Sequence, residues 1–96
     1  MHYADITPTH IRAARALLGW SQGKLSDISG VAVSTVKRLE TAPGAMEKAD
    51  TMTRRRLHDA LAGAGVAFMN GGQPGVRLMS SPQALSDGSG DVIEND

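Results

Sequence analysis

Ninety-six residues, with ten Lys and Arg against ten Asp and Glu and no cysteine, limit this chain to one small domain with a shallow core. Without cysteine there are no disulfides and no thiolate metal sites; no apolar run approaches the roughly 20 residues that span a bilayer, and the first residues lack a basic-then-apolar leader. The zero net charge is unevenly divided: residues 1–79 hold all ten bases and six acids, +4, whereas residues 80–96 hold four acids and no base, −4. The expectation is a soluble, cytoplasmic protein with no membrane segment, whose folded part favours a polyanion.

The opening MHYADI is short enough to fray. Thr7-Pro8 then starts a helix, with Thr as N-cap and Pro at the first helical position, where its missing N–H costs nothing. That helix runs from about Pro8 to Leu18 or Gly19, with Ile11, Ala14 and Leu18 on one side and Arg15 at the margin of the stripe. A second helix, about Gln22 to Ser29, packs through Leu25 and Ile28. Gly30-Val31 then breaks the pattern, because a glycine reaches the positive φ that one short helix needs to reverse into another. A third helix covers about 32–40. Two short helices joined by one tight turn make a helix-turn-helix.

At 100° per residue the third helix gathers Ala32, Val36 and Leu39 on one side. Val33, Ser34, Lys37 and Arg38 lie on the other. Such a face suits a major groove: Arg38 matches guanine O6 and N7, Val33 a thymine methyl, Ser34 is permissive, and Lys37 reaches a base or a phosphate. The plainer reading is a solvated helix face, which the adjoining turn makes less attractive. Glu40 sits at the same margin of its helix as Arg15 does of the first, so the pattern predicts an Arg15–Glu40 ion pair between them, since a partly buried guanidinium without a partner is costly.

Beyond Glu40, TAPGAMEKAD reads as a loop, with Pro43-Gly44 ending the third helix. Asp50 is a good N-cap for a fourth helix to about Ala62, with Thr53, Leu57, Ala60, Leu61 and Ala64 inward. Arg54-Arg55-Arg56 is tempting as a nucleic-acid patch, but Arg55 can pair with Asp59 at i+4, and a solvated face is the better reading. Gly63 and Gly65 stop the helix. VAFM and VRLM, separated by NGGQPG, then read as a hairpin with Val66 and Phe68 on one face, together with Val76 and Leu78 or their neighbours. A two-stranded hairpin is marginal alone and must pack on helices or another copy, which makes its edge a candidate dimer contact. The expected organisation is a helix-turn-helix domain at 1–64, the hairpin at 65–79, and a disordered acidic tail at 80–96 rich in Ser, Asp and Gly.

The stretch Trp20-Ser21-Gln22, Leu25, Gly30-Val31, Ser34-Thr35-Val36 and Leu39-Glu40 resembles the Xre/Cro family of phage-repressor-like DNA-binding domains. The Gly-Val-x-Phe…Gly-Val-x-Leu segment resembles the end of a subset of bacterial Xre-type regulators. The resemblance implies a mainly α, lambda-repressor-like bundle of four to five short helices followed by a β-hairpin. It also implies the Arg15–Glu40 pair, a phosphate contact for Gln22, and base reading by Val33, Ser34 and Arg38. Ser21, Lys24, Thr35 and Lys37 join Gln22 as candidate backbone contacts, and Lys48 is a weaker one. Two residues depart from the family pattern: Ala32 stands where a Ser or Thr N-cap is usual, and Gly23 lies early in the second helix, each costing about 1 kcal/mol of local helix stability.

His2, His10 and His58 are scattered without metal-site spacing, and GGQPG has no lysine and opens no helix. We therefore expect no catalytic set, no metal and no cofactor. The expected function is a sequence-specific transcription regulator, a repressor binding a palindromic operator in double-stranded DNA as a homodimer. The alternative is a protein-interaction module, an antiactivator or antitoxin, whose protein partner covers the same helical face. The net charge of +1 over residues 21–40 keeps both readings open.

Overall fold

In the computed structural model, which describes residues 2–69 and 75–79, a 3-10 turn at Tyr3–Asp5 leads into five helices and a hairpin. The helices are α1 (Pro8–Leu18), α2 (Gln22–Ser29), α3 (Val33–Thr41), α4 (Ala45–Lys48) and α5 (Thr51–Gly63); strands β1 (Val66–Met69) and β2 (Gly75–Leu78) follow. The fold is mainly helical with a short antiparallel hairpin. Expectations placed on the loop at 70–74 and on the acidic segment at 80–96 lie outside the described residues.

Three boundaries follow from side-chain caps. The Thr7 hydroxyl accepts from the His10 N–H and starts α1, Ser21 does the same for α2 through the Lys24 N–H, and Asp50 caps α5 through the Thr53 N–H. Gly19, at φ 70°, ends α1 in the left-handed region. The core joins Ile11 and Ala14 of α1, Leu25 of α2, Val36 and Leu39 of α3, and Leu57 and Leu61 of α5, all inaccessible to solvent. Each of the larger side chains contributes about 1.5–3 kcal/mol by its burial.

The structure corrects several sequence expectations. Ile28 is 48% exposed; the inward apolar group here is Val31 in the turn, because α2 ends before its next core-facing turn completes. Ala32, expected on the inner face of the third helix, is exposed and serves as its N-cap without a side-chain bond. That helix runs Val33–Thr41, one residue later than expected. The segment after Pro43-Gly44 is not simply a loop: α4 forms there and buries Met46. The opening residues make an ordered turn, and Ile6 seals the core behind it.

Strands β1 and β2 pair with Val66 opposite Leu78 and Phe68 opposite Val76, so these four share a face, as residues directly opposite in an antiparallel pair do. Val66 is buried and Phe68 packs between the rings of His10 and His58. The hairpin is thus seated on α1 and α5 of its own chain. Leu78, Met69 and Met79 stay close to half exposed.

The α5 cap carries a pH signature. The exposed Asp50 carboxylate is held below its ordinary value, first by the Thr53 N–H that donates to it at 2.7 Å and to a lesser degree by Arg56 and Arg54. A depressed carboxylate stabilises the fold above its unfolded value, 3.8, and loses that contribution as the pH falls through the folded value. Thermal unfolding followed between pH 5 and pH 2 (roughly the window in which such carboxylates protonate) should therefore be less pH-dependent in Asp50→Asn, which keeps a capping oxygen without the titration. Identical profiles would contradict the assignment.

Candidate nucleic-acid interface

The helix-turn-helix is built by α2, the turn Gly30–Ala32 and α3. Gly30 ends α2 at φ 79° with its N–H on the Ser26 carbonyl at 2.9 Å, and a side chain there would meet no neighbouring atom. The glycine is required by backbone conformation rather than by space. The Ser29 hydroxyl accepts from the Val31 N–H at 3.1 Å, and Val31 turns into the core, locking the angle at which α3 leaves.

One carboxylate ties three helices together. Glu40 on α3, 2% exposed, accepts Arg15 Nε on Oε2 and Arg15 Nη2 on Oε1, both at 2.7 Å. Gln22, the first residue of α2, donates its amide Nε2 to Oε1 at 3.1 Å. The third guanidinium nitrogen of Arg15 donates to the Trp20 carbonyl at 3.0 Å. The planar fork matches the carboxylate in a way an ammonium cannot. Its hydrogen bonds to Glu40 hold the Arg15 guanidinium above its ordinary value, against the opposing effect of burial. Arg12, one turn before, donates to the Glu40 backbone carbonyl at the end of α3. Helix α3 is therefore clamped to α1 at its C-terminal end by two arginines.

The outer face of α3 is open. Val33, Ser34, Lys37 and Arg38 are all exposed, whereas Thr35 is half-buried. Lys24 is exposed near the start of α2; Ser21 beside it spends its hydroxyl on the α2 cap, and half-buried Gln22 is held by Glu40. Arg38 and Lys48 line a shallow cleft of about 240 Å³ with Pro43, Ala45 and Ala49, which brings α4 next to α3. Among the described residues, none of Lys24, Lys37, Arg38 and Lys48 makes an ion pair. The arginines of α5 differ: Arg55 meets Asp59 at 3.6 Å and lies over the Tyr3 ring, and Arg54 is half-buried.

Gly23 lies within α2 and a Cβ there would meet only the Ser21 hydroxyl, at 3.7 Å, an ordinary contact. Gly23→Ala should raise stability by about 0.5–1 kcal/mol, or a few degrees in Tm, by relieving the helix of its most flexible residue. A lower melting temperature would show that α2 does not tolerate the added methyl.

Two residues of structural weight escape pattern reading. His10 is 2% exposed; its Nδ1 accepts the Thr7 N–H and its Nε2 donates to the Met69 carbonyl, each at 3.1 Å, joining the first helix cap to β1. Its position three residues after a Thr cap, where a capping box places a Glu or Gln, is the one signal the sequence offers. Arg12 carries no signal, because a lone arginine on an exposed turn looks like any solvated cation. Among the described residues no three His, Cys, Asp or Glu side chains gather as a metal site would require, and no helix is long and apolar enough to cross a membrane.

No curated protein and no solved structure matches the chain. A family model described as helix-turn-helix matches residues 11–45, which run from α1 through the turn and α3 into the start of α4. The match covers the Arg15–Glu40 clamp, the Gly30 turn and the whole open face of α3. Residues 11–45 therefore match a helix-turn-helix of the Xre/Cro-like kind, which supports a DNA-binding regulator.

Proposed function

We propose that the chain is a sequence-specific transcription regulator, a repressor that occludes a promoter by binding a palindromic operator as a homodimer in the cytoplasm. Two copies of α3 enter successive major grooves about 34 Å apart. Val33, Ser34 and Arg38 read base edges, and Ser21, Gln22, Lys24, Thr35 and Lys37 serve the phosphate backbone. The observation that carries this reading is the face of α3: two cations, a hydroxyl and a small apolar group stand in the open on a helix whose far side is clamped through Glu40. Rigid presentation of a few side chains is what base reading needs. The hairpin is the proposed dimer contact, on the strength of the exposed Met69, Leu78 and Met79.

A second reading rests on Ile28 and Val33, 48% and 40% exposed on either side of the turn. An apolar pair there suits a protein-interaction module, an antiactivator or antitoxin, at least as well as a groove. The two readings separate when purified protein is incubated with random-sequence duplexes at low and high salt and the retained DNA is sequenced. A palindromic enriched site should emerge, with affinity falling steeply as salt rises. Retention without sequence preference would remove the operator, and salt-insensitive failure to retain any duplex would favour the protein partner.

A further inference from the structure

We propose that the acidic segment 80–96 docks on the DNA-reading face of its own chain and competes with duplex DNA for it. The inference rests on the DNA-binding reading above and adds a regulation to it. Four cations, Lys24, Lys37, Arg38 and Lys48, stand exposed on α2, α3 and α4 with no ion-pair partner among the described residues. Arg38 and Lys48 share one cleft, and Lys37 is the residue beside Arg38. The segment supplies a matching number of anions, Asp87, Asp91, Glu94 and Asp96, with no base among them. Of the other cations, Arg15 is paired with Glu40, Arg12 is bonded to its carbonyl, Arg55 has Asp59 and Arg54 is half-buried, while exposed Arg56 on α5 and Arg77 on β2 stand singly rather than in a group that shares a cleft.

Reach permits the contact. The Met79 N–H donates to the Gly65 carbonyl at 2.6 Å, which fixes the departure point at the end of α5. Seventeen residues at about 3.3 Å each extend to about 56 Å, longer than the 49 Å long axis of the molecule. A tethered polyanion acts at an effective concentration in the millimolar range, so individually weak ion pairs suffice to oppose non-specific binding. A specific operator, which adds base contacts that the segment cannot make, displaces it. The consequence is sharper discrimination: random DNA meets the competitor and the operator overcomes it.

The test compares the full chain with its charge-neutralised form, D87N/D91N/E94Q/D96N, which leaves every described residue intact. Affinity of the variant for a random duplex should rise about 5- to 10-fold at ~50 mM salt, with the gain shrinking below about 2-fold at ~300 mM. Amide chemical shifts of the two proteins without DNA should differ at Lys24, Lys37, Arg38 and Lys48. Equal affinities at low salt would overturn the competition, and shift changes confined to Arg54–Arg56 or to Arg77, or absent, would overturn the docking site. Shift changes on the reading face in a protein that binds no duplex would sustain the contact and overturn the DNA-binding reading instead.

Discussion

Arg15→Ala should cost about 3–5 kcal/mol, a large part of the stability of a small domain. The substitution removes two of the hydrogen bonds to the Glu40 carboxylate, which is 2% exposed in the native chain, and leaves it the Gln22 amide as its one side-chain partner among the described residues. An unpaired buried carboxylate must be desolvated without compensation, must draw in water, or must protonate. It also frees the end of α3 from α1. Urea unfolding of the variant, with Arg15→Lys alongside, reads the effect. Lysine keeps the charge but not the fork, so it should recover only part of the loss. A cost below about 1 kcal/mol for Arg15→Ala would place the pair among exposed, energetically minor contacts.

Arg38→Ala should weaken binding to the selected operator by about 1–3 kcal/mol, a loss of about 5- to 150-fold, while changing binding to random duplex far less. The side chain is exposed on α3 and lines the cleft with Lys48, so the fold does not depend on it. Lys37→Ala supplies the contrast. As a backbone contact it should lower affinity for both duplexes alike and reduce the slope of log affinity against log salt by about one. Affinities measured on both duplexes at several salt concentrations separate the two roles. Equal losses for Arg38→Ala on operator and random DNA would reassign Arg38 to the phosphates beside Lys48.

Much of this arrangement is legible in the order of the amino acids. The turn can be read because Gly30-Val31 combines a residue that accepts φ 79° with one that must be buried, a pairing that suits a tight helix reversal and little else. The facing margins of α1 and α3 hold one arginine and one buried glutamate, and opposite charges at two apolar borders have little choice but to meet. What stays hidden depends on how elements dock. Ile28 satisfies helical periodicity as well as Leu25 does, yet α2 is only eight residues long, and one turn later it has no neighbour to cover it. The four residues of α4 are too few to show a period, and only the burial of Met46 reveals why they coil. His10 reaches Met69 across the fold, a partner 59 residues away that no local rule connects.

The same limit applies to the interface. Exposure of Val33, Ser34, Lys37 and Arg38 follows from the helical wheel, whereas the bond from Gln22 to Glu40 requires α2, α1 and α3 to be assembled first. That bond gives Gln22 a fixed orientation beside Lys24 at the start of α2, where the backbone N–H groups also favour an anion.

Whether the open face of α3 is the surface that meets DNA is decided by amide chemical-shift mapping of the full chain during titration with the selected duplex. The largest changes should fall on Gln22, Lys24, Val33, Ser34, Lys37 and Arg38, with Arg54, Arg55, Arg56 and the hairpin residues near Arg77 little affected. Changes centred on the α5 arginines, with α3 unmoved, would contradict that assignment.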